Sequence, residues 1–189
     1  MSPVALTTLG FRRGDTDDVR AFQAAWNLGP ALDVDGIVGT KTTAAIRISA
    51  DRRRAGKPDA SEHFWFRELA CHCGRVTCPR IRIQRDLLVG LERLRDAAYP
   101  GGLTLVSAYR CPEHNKAVGG ASESQHVQGT AADIPPRVPA DDVIALRAFS
   151  GVGAEGTVGG LVRHVDVRHV AALSNVTHSS PAHPARWAY

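Results

Sequence analysis

Long apolar runs are missing from this sequence. No stretch of its 189 residues is apolar enough and long enough to cross a bilayer, so no membrane-spanning helix is expected. A secretory leader is missing too, because Met1-Ser2-Pro3-Val4-Ala5-Leu6 has neither a basic start nor a long apolar core. Release by a route without a leader, or a true start further upstream, is therefore expected. Aromatic residues are few (6%) and no basic stripe is interleaved with them, so nucleic-acid binding is not expected. The net charge of +4 suits an anionic partner without choosing one; a lipid surface or an anionic wall polymer would also satisfy it. Cysteine is scarce as well, with Cys71, Cys73, Cys78 and Cys111 alone. Four cysteines allow two disulfides in three pairings. They also allow a second zinc site, although Cys-x-Cys-x₄-Cys is not the common finger or ribbon spacing, or simply free thiols.

What is present divides into two parts. Val19, Phe22, Gln23 and Trp26 recur at helical spacing behind the acidic run 15–18, which suits a helix N-terminus. Asp35-Gly36 supplies a turn, Gly39 a second break, and Thr40 a cap for a helix through Ala44, Ala45 and Ile48. Residues 1–50 thus read as a helical unit. Residues 51–62 turn polar and carry a proline, the composition of a linker.

A second domain, 63–170, opens with His63-Phe64-Trp65-Phe66-Arg67-Glu68-Leu69. Ile83, Leu87, Leu88, Leu91 and Leu94 trace the apolar face of a helix ending near Pro100-Gly101-Gly102. A short buried strand is expected over 103–107, a helix over 141–149 and a strand over 162–167. Mixed short strands and helices indicate an α+β fold. Residues 171–189, rich in Ser, His, Pro and Ala without periodicity, are expected to form a poorly ordered tail.

The chemistry concentrates in Ser124-Gln125-His126-Val127-Gln128-Gly129-Thr130-Ala131-Ala132-Asp133 and in His164-Val165-Asp166. His126 and Asp133 lie too far apart for one helical turn to bring both to a metal. Gly129 and the small residues after it suggest a loop feeding a strand. Alternation then puts Ala131 and Asp133 on one face, and downstream Val162, His164 and Asp166 on one face. Two histidines and a carboxylate can hold one Zn²⁺ and leave a coordination position open, which separates catalytic from structural zinc. Taken singly, each residue has a blander reading as a surface histidine or a loop-capping aspartate.

The N-terminal residues Leu9-Gly10, Gly14-Asp15, Val19, Phe22-Gln23, the run Asp35-Gly36-Ile37-Val38-Gly39-Thr40, Thr42 and Ala45 resemble a known module. It is the small three-helix peptidoglycan-binding domain found on many wall-active enzymes. From about His63 to Arg168 the chain resembles the zinc D-alanyl-D-alanine carboxypeptidase family. That fold, with its short antiparallel sheet, is shared with vancomycin-resistance peptidases, some phage endolysins and the zinc domain of hedgehog proteins. The resemblance is densest at Ser107-Ala108-Tyr109-Arg110, His114-Asn115, Val118-Gly119-Gly120-Ala121 and the Ser-x-His-x-x-Gly-x-Ala-x-Asp block that starts at Ser124.

The resemblance implies His126, Asp133 and His164 as ligands of Zn²⁺. It implies Arg110 as the holder of a developing oxyanion or a substrate carboxylate, and Ser124 as a loop cap or a substrate contact. Many members carry an acidic residue shortly before the last histidine, whereas this chain has Gly159-Gly160-Leu161-Val162-Arg163. Asp166 is then the expected general base, with a role orienting His164 as its alternative. Glu155, on a Gly-rich loop, is the second candidate. The implied protein is a monomeric enzyme outside the cell or in the cell wall, released as phage lysins are or exported from a longer chain. Its expected substrate is a peptidoglycan stem peptide, cut at D-Ala-D-Ala. An endolysin-type cut at L-Ala-D-Glu or a crosslink, or a non-catalytic zinc-containing wall-binding module, are the alternatives.

Overall fold

Asp15 opens the first long helix by accepting the backbone N–H groups of Asp17 and Asp18 at 2.9 and 3.3 Å. The computed structural model describes residues 4–12, 15–76, 78, 80–157, 159–168 and 184–188. Among them the helices are α1 (Val4–Thr8), α2 (Thr16–Ala25), α3 (Thr40–Arg54), α4 (Arg85–Ala98), α5 (Pro112–Ala117), α6 (Gln125–Gln128) and α7 (Ala140–Ala145), with a 3₁₀ turn at Phe66–Leu69. The strands are β1 (Ala131–Asp133), β2 (Gly151–Ala154), β3 (Val162–Asp166) and β4 (Ala185–Ala188). The fold is α+β.

In α2 the buried residues include Val19, Phe22 and Gln23, the spacing read from the sequence. Gln23 pins the following loop. Its amide donates to Asp35 Oδ1 at 2.8 Å and to the Ile37 carbonyl at 3.1 Å, and accepts from the Gly36 N–H at 2.8 Å. Gly39, not Thr40, occupies the cap position of α3, without a side-chain bond; Thr40 is the first helical residue. The first third of the stretch expected as a linker is helix, since α3 runs to Arg54. Beyond it Asp59, Ala60 and Ser61 are buried, and Asp59 pairs with Arg53 at 2.6 Å while accepting the Phe66 N–H at 2.8 Å.

The helical segment and the following domain share one apolar core. Phe11 and Phe22 lie 5.1 and 5.7 Å from Phe66, ring centre to ring centre. Arg85 donates to the carbonyls of Trp26 and Gly29, each at 2.8 Å. Truncating the fully buried Phe66 to alanine removes the ring at this junction and costs about 3–5 kcal/mol. In α4, Leu87, Leu88, Leu91 and Leu94 are all fully buried, as their periodicity requires.

Two expected elements are shorter than their patterns. Over 103–107 the chain makes one bridge, Ser107 to Asp133, because it then turns away to deliver Arg110 and Cys111 to α5. The helix expected over 141–149 stops at Ala145, and Arg147 takes a left-handed conformation at φ 50° that no helix can continue through.

The sheet order is β1-β3-β2-β4. β3 is antiparallel to both neighbours, but β4 adds parallel to β2, so the expected antiparallel sheet is mixed. Ala132, Val165 and Val152 stand in one row and face the core. The adjacent row, Asp133, His164, Gly153 and Trp187, faces the candidate site. Most of the expected tail lies outside the described residues, whereas 185–188 form an ordered edge strand.

Candidate metal centre

Strand register builds the centre. Asp133 stands directly opposite His164 in the antiparallel β1/β3 pair, so the two side chains leave the same face as neighbours. His126 reaches the same point from α6, a single helical turn where the sequence suggested a loop. Gly129 ends that turn at φ 73° and lets the chain double back into β1. A Cβ there would also run into the Arg82 carbonyl, so glycine is required on two counts.

His126 Nε2, His164 Nδ1 and Asp133 Oδ1 form a triangle. Its edges are 3.3 Å between the nitrogens, 3.1 Å from His126 to Asp133 and 3.0 Å from His164 to Asp133. Tetrahedral zinc with bonds of about 2.0–2.1 Å needs donors about 3.3 Å apart. The three atoms therefore fit one face of such a site. The tautomers fit as well. His126 Nδ1–H donates to the Ala108 carbonyl at 2.6 Å, and a carbonyl can only accept, so Nε2 presents its lone pair to the triangle. His164 Nε2 contacts Asp166 Oδ2 at 3.2 Å, which turns Nδ1 inward.

The electrostatics favour a cation. Burial opposes the charged form of Asp133, but hydrogen bonds and charge from His126 and His164 outweigh it and hold the carboxyl well below the usual carboxylate range. Burial likewise works against a charged His164, yet Asp133 and Asp166 on its two sides raise its pKa. Two buried imidazoles around an ionised carboxylate make a site that attracts a proton or a metal ion.

Arg110 flanks the triangle. Its guanidinium pairs with Asp133 Oδ2 and donates through Nε to Ser107 Oγ at 2.9 Å. One oxygen of Asp133 is thus gripped while the other faces the histidines. Ser124 occupies the cap position of α6 but makes no side-chain capping bond, and is half-buried.

Asp166 lies behind His164, on the ring edge remote from the triangle. It is fully buried, and Arg168 forks onto it at 2.8 and 2.5 Å. Burial would raise its pKa, but Arg168 and His164 bring it down to about 2. Small neighbours make room for it. Ala131 stands opposite on one side and Gly151 on the other, where a Cβ would collide with the carboxylate. The expected position of a base at the open face is therefore not the position of Asp166. Glu155 is not there either. It is exposed and paired with Arg163 at 2.7 Å, on the opposite face of β3 from His164.

Trp187 was not foreseen as a site residue. Its ring lies tilted at 57° to that of His164 with centres 5.3 Å apart, across Gly153, and Arg168 lies 4.9 Å from its ring. A four-residue edge strand in an aperiodic tail gives the sequence no pattern that would reveal it.

Two imidazoles and a carboxylate converging beside an arginine define a candidate metallohydrolase centre. The family model described as Peptidase M15 matches residues 62–171, and the chain belongs to that family of zinc metallopeptidases. Among curated proteins none matches the chain.

Proposed function

We propose that this metallopeptidase hydrolyses a stem-peptide bond of peptidoglycan, with the terminal D-Ala-D-Ala bond as its target. The observation that carries the reading is the direct opposition of Asp133 and His164, joined by His126, in a three-donor face beside Arg110. In this reading His126, Asp133 and His164 hold Zn²⁺. The ion supplies Lewis acidity to the scissile carbonyl and to a nucleophilic water.

The chain's own residues do the rest. The Ala108 carbonyl and Asp166 fix which nitrogen each histidine presents. Asp166 is a positioning residue, since it reaches the centre through the His164 ring. Arg110 orients Asp133 and puts a positive charge beside the carbonyl oxygen as it gains charge. Ser124, half-exposed at the start of α6, is available to substrate.

Residues 1–50 act in this reading as the wall anchor, raising the local concentration of substrate. The pinned loop after Gln23 supports that role, because it leaves Val34, Ile37 and Val38 exposed at 53%, 65% and 52%. The shared core makes a truncation uninformative, so the anchor is tested by Ile37→Ser with Val38→Ser in a pull-down on insoluble peptidoglycan. Mass spectrometry of a defined pentapeptide muropeptide tests the cleavage. Loss of one D-Ala, stopped by a chelator, is expected. A cut inside the stem or at a crosslink would make the enzyme an endopeptidase, and no cleavage by zinc-loaded protein would refute the peptidase reading for this substrate.

A further inference from the structure

Outside the histidine centre, all four cysteines meet. Cys71, Cys78 and Cys111 are buried and Cys73 is half-buried, and every one is a free thiol. Their sulfurs all lie within 4.8 Å of one another, and those of Cys73 and Cys111 are 3.8 Å apart. Zinc bonded to four sulfurs at about 2.3 Å needs them about 3.8 Å apart. Two disulfides would require only that the cysteines meet in pairs; here four converge on one point.

Backbone donors reach the sulfurs; a backbone hydrogen bond from Arg75 brings the Cys73 thiol down to about 7, while burial pushes the Cys78 and Cys111 thiols up. The backbone N–H of Cys111 donates to Cys71 Sγ at 3.3 Å, that of Arg80 to Cys78 Sγ at 3.3 Å and that of His114 to Cys111 Sγ at 3.4 Å. The His114 ring adds Nδ1 at 3.2 Å from Cys71 Sγ. Gly74, left-handed at φ 68°, turns the chain directly after Cys73.

We propose that Cys71, Cys73, Cys78 and Cys111 hold a second, structural Zn²⁺ in a closed tetrathiolate site, separate from the histidine centre. Binding displaces the four thiol protons and leaves no position for water or substrate. The site is a staple. Cys111 caps α5 and directly follows Arg110, whose N–H donates to the His126 carbonyl at 3.2 Å. Tying Cys111 to the loop of Cys71, Cys73 and Cys78 therefore fixes the segment from Ala108 to Arg110 that holds His126 and Asp133 in place.

The experiment counts metal in the full-length protein and in His126→Ala, together with intact masses under denaturing conditions. Two zinc ions per wild-type chain and one in His126→Ala are expected, with all four thiols titratable after unfolding. His126→Ala reloaded with Co²⁺ should show the intense near-ultraviolet sulfur-to-metal absorption of a tetrathiolate. One zinc in the wild type and none in His126→Ala would overturn the proposal. So would a denatured mass lacking four hydrogens, which means two disulfides. None of these readouts depends on peptidase activity, so the failure of one proposal leaves the other standing.

Discussion

His126, Asp133 and His164 bring two nitrogens and an oxygen together from paired strands and a helical turn, whereas the four cysteines bring sulfurs from a loop and a helix start. Donor number decides what each cluster can do. Three protein donors leave a coordination position for chemistry; four close the ion off and leave only cross-linking. Scaffold follows the same division. The histidine centre needs fixed angles at its open face and takes them from a sheet, while a closed site can gather irregular chain because four bonds impose their own geometry.

That contrast is open to attack at several points. The largest effect is expected from His126→Ala, which should reduce peptidase activity to that of a chelated control while the cysteine cluster keeps its metal; both are read on one preparation by activity assay and metal analysis. Cys78→Ser should do the reverse. The histidine centre should still bind its ion, but the melting temperature should fall by on the order of 10 °C as a buried staple is lost, measured by calorimetry. Retention of the wild-type melting temperature would remove the structural half of the contrast.

Asp166→Asn should weaken metal affinity by about 10–100-fold, and activity with it, because it loosens His164 without removing a donor. A competition titration for zinc measures this. A loss of activity at unchanged zinc affinity, with the acid limb of the pH–rate profile removed, would return Asp166 to the role of base. Gly151→Ala should act in the same direction more mildly, costing about 1–3 kcal/mol in a denaturant melt as the new methyl meets the Asp166 carboxylate. Trp187→Ala should be the mildest, about 0.5–1.5 kcal/mol for the lost ring contact with His164.

Much of the histidine centre was legible in the sequence because its donors sit in a dense block with informative small residues and in a short alternating strand. Alternation correctly grouped His164 with Asp166 on one face. It could not say which ring nitrogen would face Asp166, and that detail separates a base from a positioning residue. Glu155 looked close in sequence, but the register shift between Gly153 and Ala154 and the pairing with Arg163 carry it to the far face. The N-terminal helix was legible from periodicity. Its fusion to the next domain was not, because Asp59 and Ser61 look like linker residues until their burial is known. Trp187 was invisible for a different reason, since β4 is held by β2 rather than by any pattern of its own.

The opposition of Asp133 and His164 also bears on how the chain reaches its native state. Side chains alternate along a strand, so sliding β3 by one residue against β1 would set Arg163 or Val165 against Asp133 and turn His164 away. Of these pairings only the native one sets His164 beside Asp133. A metal ion present during folding would thus act as a proofreader of strand alignment, retaining the native register and leaving misaligned chains free to reopen.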